Sequence, residues 1–356
     1  MFRVLIFISF IVICFNFKII EYDGFSIYLS FITSLIILII GSLFGFKNKT
    51  QLIFYILLIL YGVIIGSDVQ SLSYGLTLII FVLFSFIKIP VKDFEYVIQL
   101  FVATLLVSDI RVLLESDVVL NTLNTSNRLE SDFCGGINNL AYFNVFGLIL
   151  VQSFRSSINR IPFQLFFLLF IVLTLSRGAL IVTLCYMIFS FTIKQLVGFT
   201  LLLVATATYF FEYISGFLDV LSNRYVLIEL SERAGRSDIW LSAIDQLFEI
   251  QAIIGYGLGN FEHNYLGDIN VSIHNQYLDF IYVYGWLWFV IILIFMPFRL
   301  RSRFRPKHIS WLGYAFFLSL LFDSRVYVIQ TVLWSSLLFN LYLNWPHGRE
   351  SLHIYN

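Results

Sequence analysis

LIFYILLILYGVIIG (52–66) and LSYGLTLIIFVLFSFIK (72–88), parted only by SDVQS (67–71), decide how this chain folds. The first run carries no charge and the second only its terminal Lys88. A helix needs about 17 to 25 apolar residues to cross a bilayer, or slightly fewer with interfacial flanks. Working outward, the same pattern marks spans at about 4–20, 25–45, 94–110, 139–154, 161–176, 178–194, 196–211, 275–298, 308–322 and 326–344. The expectation is an all-α, polytopic integral membrane protein of about 12 transmembrane helices. Composition agrees: 59% of the 356 residues are hydrophobic and 12% charged, against about 25% charged in soluble domains, and mean hydropathy is +0.89.

The first span follows Arg3, and no small-x-small cleavage site precedes the Lys18–Gly24 connection, so it reads as an uncleaved helix. Cys14, Cys134 and Cys185 show neither metal-ligand nor redox spacing. A net charge of zero without a long basic tract argues against a nucleic-acid partner.

Lys and Arg in short connections set orientation. With the N-terminus inside, fourteen of the 22 basic residues fall on the cytoplasmic side and eight on the other. The eight are Lys18, Arg111, Arg128, Arg177, Arg224, Arg233, Arg236 and Arg325, so seven are arginine. Of the acids, only Asp93, Glu95 and Glu350 fall inside. The chain then divides into 1–110 with five spans, an outer loop 111–138, four spans over 139–211, a large outer loop 212–274, and three spans with a cytoplasmic tail over 275–356.

The large loop holds the polar chemistry. From Ser237 to Ile250, Trp240, Ala243, Ile244, Leu247 and Phe248 recur at helical spacing, predicting an amphipathic helix on the membrane surface or over a cavity. Ser237 or Asp238 is an N-cap residue type and Gly255 a stop. Arg236 falls at the positive end of this helix, where anions are favoured. Arg233, three residues earlier, faces the same phosphate if that segment is also turned. Pairing with Glu232, Asp238 or lipid headgroups is the competing role for both arginines. Arg177, in the tight turn TLSRGAL between two spans, sits at the membrane boundary. Such a charge faces a partner or aqueous cavity, or snorkels to headgroups. Arg325 has Asp323 beside it.

GYGLGNF (255–261) has no preceding strand, so it is a sharply turned or flexible backbone rather than a nucleotide loop. His263 lies mid-loop beside Glu262, whereas His274 runs directly into a span. A neutral His274 can take a proton from a sugar hydroxyl; capping the helix or bonding a carbonyl is the alternative. The outer side has no Asp-x-Asp pair and no G-x-S-x-G elbow, so neither a metal site nor a serine hydrolase is expected.

In order, Arg128, GGINNLA with Asn139, LSRGAL, GRSDIW, GYGLGNF and HNQYL resemble the bacterial O-antigen polymerase and O-antigen ligase superfamily. His274-Asn275, nine residues and Gly285 reproduce its His-Asn-x9-Gly pattern; where a small residue follows three positions later in the ligases, Trp288 stands here. The matched features extend over about 128–288. The resemblance implies a GT-C-like glycosyltransferase of the inner (plasma) membrane, with its active site facing the periplasm. Its donor would be an undecaprenyl diphosphate-linked oligosaccharide, its chemistry would need no cofactor or metal, and its protein partners would be a chain-length regulator and a flippase. By the same resemblance His274 and Arg177 are catalytic, while Arg128, Arg233, Arg236, Arg325, Asn139 and Asn275 bind substrate. Trp288, together with a chain rich in Phe and Tyr, favours a polymerase over a ligase. A lipid-linked oligosaccharide flippase is the alternative from another class, although no internal repeat of the kind transporters carry is apparent.

Overall fold

The computed structural model describes Arg3, Phe7 and residues 18–22, 25–28, 45–66, 69–90, 93–114, 137–154, 157–174, 176–191, 236–258, 273, 275–295, 307–320 and 332–345. The fold class is all-α. The helices are α1 (Lys49–Gly66), α2 (Val69–Phe86), α3 (Phe94–Leu114), α4 (Ile137–Leu150), α5 (Ser157–Leu173), α6 (Arg177–Ser190), α7 (Arg236–Gln246), α8 (Gln276–Phe295), α9 (Lys307–Leu320) and α10 (Val332–Asn344). A 3-10 turn, Val151–Ser153, continues α4, and another, Ile250–Ile253, follows α7. Among the described residues α1, with 18 residues, and α3, with 21, are long and apolar enough to cross a membrane; most other apolar helices are shorter.

One short exception interrupts the helices. Strands β1 (Lys18–Tyr22) and β2 (Phe25–Tyr28) pair antiparallel, with Tyr22 opposite Phe25. They occupy the end of the first predicted span and the start of the second. Asp23-Gly24 separates the strands in sequence, and Asp-Gly is among the dipeptides that suit a two-residue hairpin turn. The predicted 196–211 span lies outside the described residues, as does most of the first two.

Helix α4 is the hub, packing against α3, α5, α6 and α9. Every residue from Asn139 to Val151 is buried, as expected of a helix that is apolar all round. Gly147 lets Leu105 of α3 and Phe167 of α5 close on it; a Cβ there would lie 2.7 Å from the Leu105 side chain. Phe101, Phe143 and Trp334 meet edge to face, with Trp334 5.0 Å from each of the other two.

The polar groups inside are used between helices. Asn340 of α10 donates from Nδ2 to the carbonyls of Phe84 (2.7 Å) and Ile87 (2.9 Å), closing the C-terminal end of α2. Asn144 of α4 donates to Asp109 Oδ1 at 3.1 Å and to the Leu140 carbonyl at 3.0 Å. Asp109, near the outer end of the predicted 94–110 span, is fully buried, and α3 runs four residues beyond that span to Leu114.

The outward faces have the opposite character. Ile53, Leu57, Leu60 and Ile64 form an exposed stripe along α1, and Ile161, Leu165, Leu169 and Val172 another along α5. Ile181, Leu184 and Ile188 do the same on α6.

The described basic side chains divide between the two ends of the bundle. Lys47 and Lys49 precede or begin α1, Lys88 follows α2, Arg160 is near the start of α5, and Lys307 begins α9. Arg3 joins them through its ion pair with Asp93, just before α3. Lys47 is held below the usual lysine range by burial and then by Lys88. Arg111 and Arg177 lie at the opposite end, in the last turn of α3 and the first of α6.

Candidate functional site

Of the residues singled out above, that opposite end holds Arg177, Asn139 and Asn275. Antiparallel packing sets it: Asn144 and Gly147 of α4 meet Asp109 and Leu105 of α3 in reverse order, and Tyr186 of α6 meets Trp311 of α9 at 5.8 Å. The start of α4 therefore lies where α3 finishes, and the start of α6 where α9 finishes. The Tyr277 hydroxyl of α8 donates to the Phe317 carbonyl at 3.0 Å, which brings the start of α8 to the same place.

Arg177 is the first residue of α6, three residues beyond Thr174, so TLSRGAL is the tight turn expected. Its side chain is exposed. Arg236 is likewise the first residue of α7. The helix thus begins one residue before Ser237, and the expected cap at Ser237 or Asp238 gives way to two residues of the first turn. A cation at a helix N-terminus opposes the macrodipole by about 0.3–1 kcal/mol, so two helices that open on arginine place fixed positive charge where helix ends already attract anions.

Asn139 is in the first turn of α4 and only 3% exposed. Asn275 has a definite structural task. Its Oδ1 accepts the backbone N–H groups of Tyr277 (3.1 Å) and Leu278 (3.2 Å), and its carbonyl accepts that of Asp279 at 2.9 Å. This is an N-cap, so a substrate would have to share Asn275 with the helix it starts. Asn275→Ala is expected to lower stability by about 1 kcal/mol, with Asn275→Asp retaining most of it, as read from thermal unfolding in detergent. Arg128, Arg233, His274 and Arg325 lie outside the described residues.

The Arg236 helix is built into the bundle. Ile239 and Ala243 of α7, and Leu247 just after it, are buried with Ala252, Ile273, Ile281 and Tyr282. Trp240 Nε1 donates to the Ile273 carbonyl at 2.9 Å and Trp286 Nε1 to the Leu247 carbonyl at 3.0 Å, so α7 runs beside the first half of α8. The apolar face expected on the membrane surface or over a cavity is turned mainly against α8, and Phe248 alone of the five apolar positions points fully away. The helix ends at Gln246, well before the expected stop at Gly255.

Gly255–Leu258 then docks into a break in α8. Gly285 adopts φ 82° and ψ 167° in mid-helix, interrupting the i to i−4 ladder. The Tyr282 and Val283 carbonyls instead accept Tyr256 N–H (2.9 Å) and Gly257 N–H (3.1 Å). Leu258 N–H donates to the Gly62 carbonyl of α1 at 3.0 Å, Ser71 of α2 donates to the Leu258 carbonyl, and Tyr61 donates to the Ile254 carbonyl at 2.8 Å. Gly255 and Gly257, with φ 89° and 84°, give the sharp turn expected of GYGLG. They lock the backbone between α1 and α8. The Tyr256 ring stacks on Tyr282 at 4.4 Å, and its hydroxyl donates to the Gln246 carbonyl and Glu249. Partial burial, followed by the Glu249 carboxylate, pushes that hydroxyl up to about 12.

Two features escaped the sequence reading. The Asp109–Asn144 contact was signalled by an acid close to the end of an apolar run. The α8 break was signalled by glycines in both GYGLG and the tenth span, but only proximity reveals that Gly255 and Gly285 serve one another. No protein-family model matches the chain, and no curated protein matches it.

Proposed function

We propose that this chain is a polytopic membrane glycosyltransferase that joins undecaprenyl diphosphate-linked repeat units into a surface polysaccharide at the periplasmic face of the bacterial inner membrane. The observation that carries the reading is the convergence at one end of the bundle of Arg177, the α4 start with Asn139, and the Asn275-capped start of α8. Support for the membrane setting comes from apolar stripes facing outward while Asp109, Asn144 and Asn340 are buried between helices, the arrangement a lipid solvent favours. The excess of described basic residues at the other end supports placing that end in the cytoplasm. The reading has about twelve spans, of which the predicted 196–211 span and most of the first two fall on residues that are not described.

In the proposed reaction the acceptor sugar hydroxyl of one lipid-linked unit attacks the anomeric carbon of the donor glycan. The new glycosidic C–O bond forms as the bond from that carbon to the diphosphate oxygen breaks, and the electron pair leaves with undecaprenyl diphosphate. His274 takes the hydroxyl proton. Arg177 and Arg236, with Arg128, Arg233 and Arg325 as further candidates, stabilise the charge on the departing diphosphate through planar donor forks. Asn275 holds the helix that follows His274. Trp288 packs against Phe54 and Tyr61 of α1, so the position that favours a polymerase over a ligase is filled by an aromatic contact between helices.

Purified protein supplied with lipid-diphosphate repeat units is expected to lengthen the glycan, and His274→Ala to reduce the rate by about 10²–10⁴-fold. Undiminished chain growth in His274→Ala would remove the general base. A deletion strain should carry single-repeat lipopolysaccharide; unattached polymer would indicate a ligase, and repeat units trapped on the cytoplasmic face a flippase.

A further inference from the structure

We propose that the turn from Phe248 to Ile254 is a membrane anchor, inserted into the bilayer interface beside α1, with lipid acyl chains as its occupant. The proposal rests on the membrane reading above and concerns a segment the sequence places in an outer loop.

Exposure along this turn is concentrated in large apolar side chains: Phe248 85%, Ile250 87%, and Ile253 and Ile254 53% each. The neighbouring apolar face of α7 is already buried on α8. The turn is held rigidly. Trp286 grips the Leu247 carbonyl at its start, and Tyr61 grips the Ile254 carbonyl at its end. A rigid backbone that presents four apolar side chains outward is unfavourable in water and favourable in lipid.

Continuity identifies the occupant. Tyr61 is in the last turns of α1, between Leu60 and Ile64 of the exposed apolar stripe that begins at Ile53. The bond from Tyr61 to Ile254 sets the end of the turn at that level, so its isoleucines extend a surface that already faces lipid. Three backbone N–H groups of this region are satisfied within the turn itself: Ala252 N–H donates to the Glu249 carbonyl, and Ile254 and Gly255 N–H both donate to the Gln251 carbonyl. Non-helical backbone at membrane depth requires this. Glu249 and Gln251 are exposed between the apolar residues, and Glu249 accepts the Tyr256 hydroxyl at 2.9 Å. These polar groups fix the depth at the headgroup boundary rather than in the hydrocarbon centre.

The test uses the full chain with Cys14, Cys134 and Cys185 replaced by alanine, in nanodiscs of phosphatidylcholine and phosphatidylglycerol. Nitroxide labels are placed in Phe248→Cys and Ile250→Cys, and in Leu57→Cys on the α1 stripe as reference, and collision rates with oxygen and an aqueous nickel chelate are compared. The expected result is several-fold preference for oxygen at 248 and 250, as at 57. Preference for the chelate at 248 and 250, with oxygen preferred at 57, would overturn the anchor and leave the membrane reading standing. Suppression of both collisions at 248 and 250 would mean protein cover and overturn it equally. Chelate preference at all three positions would overturn the membrane reading and the anchor together.

Discussion

Gly285→Ala is expected to destabilise the protein by about 3 kcal/mol or more, the sum of two costs of about 1–3 kcal/mol each. The first is backbone strain: φ 82° and ψ 167° is a region essentially reserved for glycine. The second is overlap. A Cβ at Gly285 would lie 2.4 Å from the Ile253 carbonyl oxygen and 2.6 Å from Gly255 N. Both are backbone atoms, so no side chain can swing away. Gly255→Ala meets the Val283 carbonyl oxygen at 2.3 Å across the same junction. Because either change forces the same two segments apart, the double variant should cost less than the sum of the singles. Thermal unfolding of detergent-purified protein measures all three. A Gly285→Ala protein within about 0.5 kcal/mol of wild type, the range of an ordinary surface change, would show that the α8 break does not need glycine.

Arg177→Ala is expected to leave stability within about 1 kcal/mol of wild type, since its charge opposes the α6 dipole, while lowering glycan extension by about 10²–10³-fold. Arg177→Lys keeps the charge and loses the two-point fork, so it should recover only part of that loss. Extension assays with purified variants, read beside thermal unfolding, separate chemistry from folding. Wild-type extension by Arg177→Ala would remove it from the site, and wild-type extension by Arg177→Lys would leave it as a point charge only.

The parts of this fold legible in sequence are those governed by short-range physics. The turn at Thr174–Arg177 is flanked by apolar runs too long to be anything but helices, and the start of α8 follows from the apolar run that opens after His274-Asn275. Helix α7 was legible as amphipathic, but not the direction of its apolar face, because α8 and the membrane are both apolar partners. Asn275 shows the same ambiguity at a single residue. An Asn beside a His suits a ligand contact and a helix cap equally, and only the 3.1 and 3.2 Å bonds from Tyr277 and Leu278 distinguish them. The β1–β2 hairpin was overlooked because apolar length outweighed the Asp-Gly between its strands. The burial of Asp109 is not legible because its partner, Asn144, lies 35 residues away in another helix.

The burial of α4 on every side has a consequence for how the chain is made. A helix with lipid on one face can enter the membrane and wait for its neighbours. This one carries Asn139 and Asn144 among its apolar residues and finds its partners on α3, before it, and on α5, α6 and α9, after it. Its final environment exists only once α9 has been synthesised, more than 150 residues later, so maturation of the bundle is a late event, and truncations upstream of α9 should leave α4 exposed to quality-control proteolysis.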